Sequence, residues 1–236
     1  GDRQAVLTFA PGLGTLTVAV GLSAVSAENA RENSLVEVPE LDFDAVRLRA
    51  EALWRDALGD IVVEGGTRDE RINFYTAQYH AKLSPNLMSD VNGEYRRSDQ
   101  TIARVADGRA YYSTFSLWDT FRAWHPLQTL VDTTRVNDMI ASMLDMYDAT
   151  GELPVWPLAS GETGTMMSVI ADAYLKGIRG YDAGKALDAM IRSSNINKKG
   201  SDYYVSQGFI PSNICRESVS CALEYAYDDW AVARMA

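Results

Sequence analysis

The sequence predicts a mainly α-helical fold entered from a short β fragment, and three features predict it. Leu16, Val18, Val20 and Leu22 alternate with Thr17, Ala19, Gly21 and Ser23, the two-residue period of a strand. After Pro39 the apolar spacing changes to the period of a helix. From there roughly six or seven helical stretches follow one another, mostly through short connections of the kind that join antiparallel helix neighbours.

Taken in order, Ala5–Ala10 reads as a strand, Pro11-Gly12-Leu13-Gly14 as a turn, and the alternating run after it as a second strand. Leu13 to Ala27 has an apolar run and a small-residue end, as a signal peptide would. It lacks an initiating Met and a compact basic segment, so the strand reading is preferred. The chain opens at Gly1-Asp2 inside this pattern, and the start therefore reads as cut. Asp42 can cap a helix whose Phe43, Val46, Ala50, Leu53, Trp54 and Ala57 share a face. Ile61-Val62-Val63 is a short extended piece ended by Gly65-Gly66. Thr67 and Glu70 have the spacing of a capping box for a helix through Ile72, Tyr75, Tyr79 and Leu83.

Residues 85–97 read as loop, with Asn92-Gly93 as the turn signal. A helix is predicted over 117–130, which Pro126 kinks or divides. The next, 134–147, turns Val136, Met139, Ile140, Met143 and Tyr147 inward and stops before Gly151. Further helices are predicted at 165–178, 182–193 and 216–235. No exact repeat is present, and no apolar run reaches the ~18 residues that span a bilayer.

Composition narrows the function. Over 236 residues, 47% hydrophobic and 23% charged, the chain has globular composition. Lys+Arg 22 against Asp+Glu 32 gives a net charge of -10, which argues against nucleic acid or an anionic membrane as partner. It suits a ligand that is neutral or held through a cation. Five Trp and twelve Tyr allow a ring-faced ligand such as a sugar, or simply fill a helical core. Two cysteines cannot by themselves supply a four-ligand zinc site or a disulfide framework, and with only His80 and His125 a multi-histidine centre is excluded. Cys215 and Cys221 read as unrelated thiols, with a local disulfide as the alternative if the segment between them loops.

Three stretches could carry chemistry. In Tyr111 to Pro126, Asp119 and Arg122 lie one helical turn apart and could pair, with Trp118 beside the carboxylate. A carboxylate next to an indole suits a sugar, since the acid accepts hydroxyl hydrogen bonds and the ring offers an apolar face. The plain alternative is a surface ion pair with Trp118 and Trp124 in the core. In the second stretch, prolines flank Trp156 and Glu162 falls near a helix start, either as a dipole-favoured acid or as a pocket residue. The third holds Glu217, Glu224, Asp228 and Asp229, where one of the adjacent aspartates could face a pocket. No spacing identifies an opposed carboxylate pair for glycoside hydrolysis. No G-x-S-x-G elbow, Walker loop, dinucleotide fingerprint, H-E-x-x-H or EF-hand loop occurs.

Taken together, YYSTFSLWDTFRAWHPL at 111–127, GELPVWPLASGET at 151–163, VIADAYLKGIRGYD at 169–182 and ESVSCALEYAYDDW at 217–230 resemble glycoside hydrolase family 92, the calcium-dependent exo-acting α-mannosidases. DFDAVR at 42–47, FYTAQYH at 74–80 and LMSDVNGEYR at 87–96 resemble it too. The resemblance covers essentially the whole chain and implies a β-sandwich packed on an (α/α)6 toroid in a longer polypeptide. It implies that residues 1–38 end the sandwich, that 39–110 are linker and first helices, and that 111–236 begin the toroid. It places Trp118, Asp119, Arg122 and Glu162 at the mannose, with His125, Trp156, Glu217, Asp228 and Asp229 as weaker candidates.

The resemblance also implies calcium, an inverting mechanism, a mannose-containing glycan of the α-1,2 type, and a secreted, periplasmic or outer-surface location. Its general acid, general base and main calcium ligands belong to words that do not occur in this sequence. The expected partner is therefore the remainder of the same polypeptide, and this segment by itself is expected to be inactive and to expose unpaired helix faces. The family's histidine-bearing bridge is also missing where Met166-Met167 runs directly into Ser168-Val169. Another (α/α)6 glycosidase, or a helical interaction module without catalysis, are the competing readings.

Overall fold

A computed structural model describes residues 5–12, 14–156, 166–196 and 199–236. The described residues 5–25 form no strand ladder. Val6, Val18, Val20 and Leu22 are all more than 60% exposed. Alternation supplies a strand with an apolar face but not with a partner, and an unpaired strand leaves both backbone edges to solvent. A helix that the sequence pattern did not announce comes next, α1 (Ala27–Glu37), capped by the Ser26 hydroxyl, which accepts from the Asn29 N–H at 3.0 Å.

Helix α1 has no apolar stripe, and its buried residues are Asn29 and Asn33, one turn apart. Both amides donate to Asp90, at 2.8 and 2.7 Å, and the Ser23 hydroxyl adds a third bond at 2.7 Å. Burial by itself would raise the Asp90 carboxyl, but these three donors outweigh it and hold the group below the usual aspartate value. The Asn33 carbonyl also accepts from the Val91 N–H at 2.9 Å. Hydrogen bonds thus do the docking that apolar contact does elsewhere. Gly21 passes so near α1 that a Cβ there would lie 1.9 Å from the Ala30 carbonyl oxygen, so no side chain fits.

Helix α2 (Phe43–Leu58) starts at Asp42, whose carboxylate accepts from the Ala45 N–H. Helix α3 (Arg68–Ala81) starts at the Thr67–Glu70 capping box, with both reciprocal bonds present. Neither helix buries a residue fully. Of the predicted α2 face, Val46, Trp54 and Ala57 are half-buried while Phe43 and Leu53 stay exposed, and Trp54 meets Tyr79 of α3 at 4.6 Å.

The stretch 85–97, read as loop, contains one strand of each of two small antiparallel sheets. Strand β1 (Asn86–Leu87) pairs with β4 (Tyr112–Ser113), and β2 (Glu94–Arg96) pairs with β3 (Ile102–Arg104) with Tyr95 opposite Ala103. Gly93 supplies the left-handed turn before β2, at φ 84°.

Then come α4 (Leu117–Thr120), α5 (Trp124–Val131) and α6 (Thr133–Thr150). The predicted division near Pro126 falls just ahead of it, at residues 121–123. Pro126 sits in the first turn of α5, where a helix has no partner for an N–H anyway. Helix α6 ends as predicted, with Gly151 in the left-handed conformation at φ 82°. Helix α7 (Met166–Leu175) runs unbroken through the junction at Ser168. Helices α8 (Ala183–Ser194), α9 (Ser201–Gln207) and α10 (Ser218–Met235) complete the chain, α9 being unforeseen.

The core sits among α6, α7, α8 and α10. Met139, Ile140 and Met143 of α6, Ile170 and Ala173 of α7, and Ala186, Ala189 and Met190 of α8 are at most 1% exposed, and α10 adds Ala231 and Met235. At roughly 1.5–3 kcal/mol for each large side chain buried, this is the main source of stability. Helix α10 carries two stripes. Cys221, Asp228, Ala231 and Met235 are buried, whereas Val219, Leu223, Tyr227 and Trp230 form an exposed apolar stripe at helical spacing. Among the described residues no helix is long and apolar enough to cross a membrane.

Two outcomes follow. The isolated chain should self-associate through its exposed helix faces, and light scattering that shows a monodisperse monomer with one sharp melt would contradict this. Asp90→Ala removes one of the two acceptors of each of the Asn29 and Asn33 amides, at about 1–3 kcal/mol for each N–H left unsatisfied. It should speed hydrogen exchange in α1 far more than in α6.

Candidate functional site

The segment leading to α4 is delivered by polar side chains spaced along α6. Asp138 accepts from the Ala110 N–H at 3.2 Å and pairs with Arg109 at 2.6 Å. Ser142, one turn on, accepts from the Tyr112 N–H at 3.0 Å. Asp145, near the next turn, pairs with Arg97, and Tyr95 stacks on Tyr111 at 3.9 Å between these anchors. A backbone bond from the Leu117 N–H to the Val155 carbonyl, 3.0 Å, joins the first candidate stretch to the second. Leu153 is fixed in turn by its N–H donating to the Ser193 hydroxyl at 2.9 Å. The Trp124 indole N–H donates to the Ala81 carbonyl and ties α5 to the end of α3.

At the end of this support, Trp118, Asp119 and Arg122 are exposed. The anticipated Asp119–Arg122 pair does not form: α4 is a single turn that ends at Thr120, so Arg122 lies past the helical register. Asp119 instead accepts from the Ser116 hydroxyl. The Arg122 guanidinium lies over two rings, 5.2 Å from the centre of Trp118 and 4.7 Å from Phe121.

Arg122 lines a cleft of about 250 Å³ with Phe121, Ser168 and Asp172 of α7, and Tyr227 and Trp230 of α10. Tyr227 and Trp230 stack at 5.8 Å, and Phe121 lies 5.8 Å from Tyr227. Phe121, Asp172, Tyr227 and Trp230 are cleft residues that the sequence reading passed over. The one available signal was the three-residue spacing of Tyr227 and Trp230, which places two rings on one helix face.

The other candidates are scattered. Trp156 is 42% exposed, at the edge of the segment 157–165, and Glu162 lies outside the described residues. His125 is buried against Trp124, and burial pushes its imidazole down to about 3, so it is neutral at ordinary pH. Glu217 is exposed at the start of α10, about 15 Å along the helix axis from Tyr227. Asp229 accepts from the Tyr204 hydroxyl at 3.2 Å. Asp228 is turned inward, 5% exposed, and its Oδ1 has no partner. Burial first, then the nearby Glu224 and Asp229 charges, push its carboxyl up to about 8. Cys215 and Cys221, read as unrelated thiols, are buried side by side with sulfurs 3.6 Å apart. Among the described residues no three His, Cys, Asp or Glu side chains converge as a metal site would require.

An aromatic cleft lined by two arginines, Arg122 and Arg234, and one carboxylate, Asp172, suits a ring-faced, hydroxyl-bearing ligand such as a sugar. Residues 29–236 match the model of the glycosyl hydrolase family 92 catalytic domain, and the chain belongs to that family. Its fold is similar to a family GH92 α-mannosidase from Bacteroides thetaiotaomicron, with TM-score 0.83 and 37% identity over 89% of this chain and 29% of that one. It is similar to an inverting GH92 mannosidase of the same organism, with TM-score 0.82 and 31% identity over 90% of this chain and 31% of the other. An uncharacterized secreted glycosidase of Arthroderma benhamiae is 27% identical over 90% of this chain and 26% of its own length. The chain thus spans about a quarter to a third of these relatives.

Two buried groups set opposite pH slopes. Asp228 holds its proton more tightly when folded, so stability falls as pH rises from about 4 to about 8. His125 binds a proton less tightly when folded, so stability falls as pH drops from 6.5 toward about 3. Asp228→Asn should raise the melting midpoint at pH 8, by about 2–4 °C per kcal/mol relieved, and leave it unchanged near pH 4. An equal gain at both pH values would exclude this account.

Proposed function

We propose that this chain is a segment of the catalytic domain of an exo-acting α-mannosidase that removes terminal mannose from glycans, preferring α-1,2 linkages. The observation that carries the reading is the shared fold with a GH92 α-mannosidase at 37% identity, a protein also solved with mannoimidazole. The exposed position of Trp118, Asp119 and Arg122, held from behind by α6, supports their assignment to the terminal sugar. The indole covers an apolar sugar face, while the carboxylate and guanidinium take hydroxyl groups. Glu162 is assigned with them, and Trp156 borders its segment. His125, Glu217, Asp228 and Asp229 remain second-rank assignments in this reading.

Residues 111–236 are proposed as the first part of an (α/α)6 toroid, a reading supported by the exposed Val219 and Leu223 of α10, which a further helix would cover. Residues 39–110 are then the linker and first helices, and 1–38 the end of a neighbouring β-sandwich. The inverting reaction needs an acid and a base about 6.5–9.5 Å apart on opposite sides of the bond, and we assign both to other segments of the polypeptide. Calcium, where bound, would hold sugar hydroxyls. The described residues do not fit a calcium site, since their carboxylates do not converge. A secreted, periplasmic or outer-surface location is proposed from the secreted glycosidase of similar sequence.

The test uses the longer protein that carries this chain. It should release mannose from an α-1,2-linked mannobiose and lose that activity reversibly on chelation. Asp119→Asn or Trp118→Ala should lower kcat/KM by about 10–100-fold, the loss of one strong polar or ring contact. Mannose binding without release would favour a non-catalytic module, and turnover by residues 1–236 alone would put the acid and base on this chain.

A further inference from the structure

Away from the main core, Ile210, Cys215 and Cys221 form a second small cluster, flanked by Tyr204, Ala222 and Tyr225. It holds down the connection from α9 to α10. That connection turns sharply, with the Ile214 and Cys215 N–H groups both donating to the Pro211 carbonyl at 3.0 and 3.2 Å. The turn brings Cys215 back over the first turn of α10, where the Cys221 N–H donates to the Glu217 carbonyl at 2.9 Å. Both cysteines are at least nine-tenths buried and their sulfurs are 3.6 Å apart. They are the two cysteines of the sequence, so neither has a rival partner within it.

We propose that Cys215 and Cys221 are a disulfide site, oxidised during folding, and that the bond clips the α9–α10 connection onto the start of α10. The sulfurs need to approach by only ~1.5 Å to reach bonding distance, a shift that side-chain rotation supplies. The oxidant is a donor disulfide. One cysteine thiolate attacks it, forming a mixed disulfide and releasing one donor thiol. The second cysteine then displaces the other donor thiol. Two cysteine sulfurs are oxidised, the donor's two sulfurs are reduced, and the two cysteine protons leave with them.

The timing follows from the burial. In the folded, reduced chain, burial first and then the neighbouring Cys215 push the Cys221 thiol up to about 11, which leaves little thiolate for exchange. Oxidation therefore belongs to folding, and a bond sealed in this cluster resists reductants afterwards. So small a cluster has little apolar area of its own, and a covalent link takes over the task of fixing the loop. The link encloses Arg216 and Glu217, and so sets where Glu217 stands at the head of α10.

Arg216 makes the proposal easy to test, because trypsin cuts between the two cysteines. The longer protein carrying this chain is folded in reduced and oxidised glutathione, denatured in acid with a thiol alkylator, and digested. Mass spectrometry should find residues 200–216 joined to residues 217–234, the pair separating on reduction. Recovery of both peptides alkylated and unlinked would overturn the proposal. As a second reading, Cys215→Ser, Cys221→Ser and the double variant should lower the melting midpoint equally, since each removes the same bond. A midpoint lower in the double variant than in either single one would show two independent thiols instead.

Discussion

Helix α6 is buried on one side by apolar contact and on the other by hydrogen bonds, and the rest of the molecule depends on that division. Met139, Ile140 and Met143 anchor it among α7, α8 and α10. Asp138, Ser142 and Asp145 face the incoming segment and receive its backbone and its arginines. The apolar side supplies energy without direction, since dispersion and water release do not specify a register. The polar side supplies direction, because each backbone N–H must meet one particular oxygen. The exposed residues Trp118 to Arg122 inherit their position from this second set.

The same economy recurs in α1, which has no apolar stripe and is held by two asparagine amides on one aspartate. A buried carboxylate is tolerated there because three donors surround it. Asp228, on the inner stripe of α10, has no such donors for one oxygen and its proton is retained instead. Two aspartates of similar exposure therefore carry opposite shifts: three hydrogen-bond donors lower Asp90, whereas burial and the Glu224 and Asp229 charges raise Asp228.

Much of the helical plan was legible. Asp42, the Thr67–Glu70 box and Gly151 act on the backbone within one turn, so their effect survives any tertiary setting. Helix α1 was not legible because its buried face is made of asparagines, which a reading based on apolar periodicity passes over. The alternation at 16–22 forms no ladder among the described residues for the converse reason: it marks a face, whereas a strand also needs an edge to pair with. In the site, the word around Trp118 is legible in its composition, but the cleft is not, because Phe121 reaches it from the turn after α4 while Asp172 and Tyr227 come from α7 and α10.

By itself the sequence determined the helical class, the caps and the family, since these rest on periodicity, short-range hydrogen bonding and ordered words along one chain. The tertiary structure decided which residues share a surface. It sent Arg122 onto two rings instead of onto Asp119, turned Asp228 inward while Asp229 reached Tyr204, and set Cys215 against Cys221. The physical reason is that a side chain's partner depends on where its helix stops and on what packs above it. Neither distance is written in the local spacing of residues.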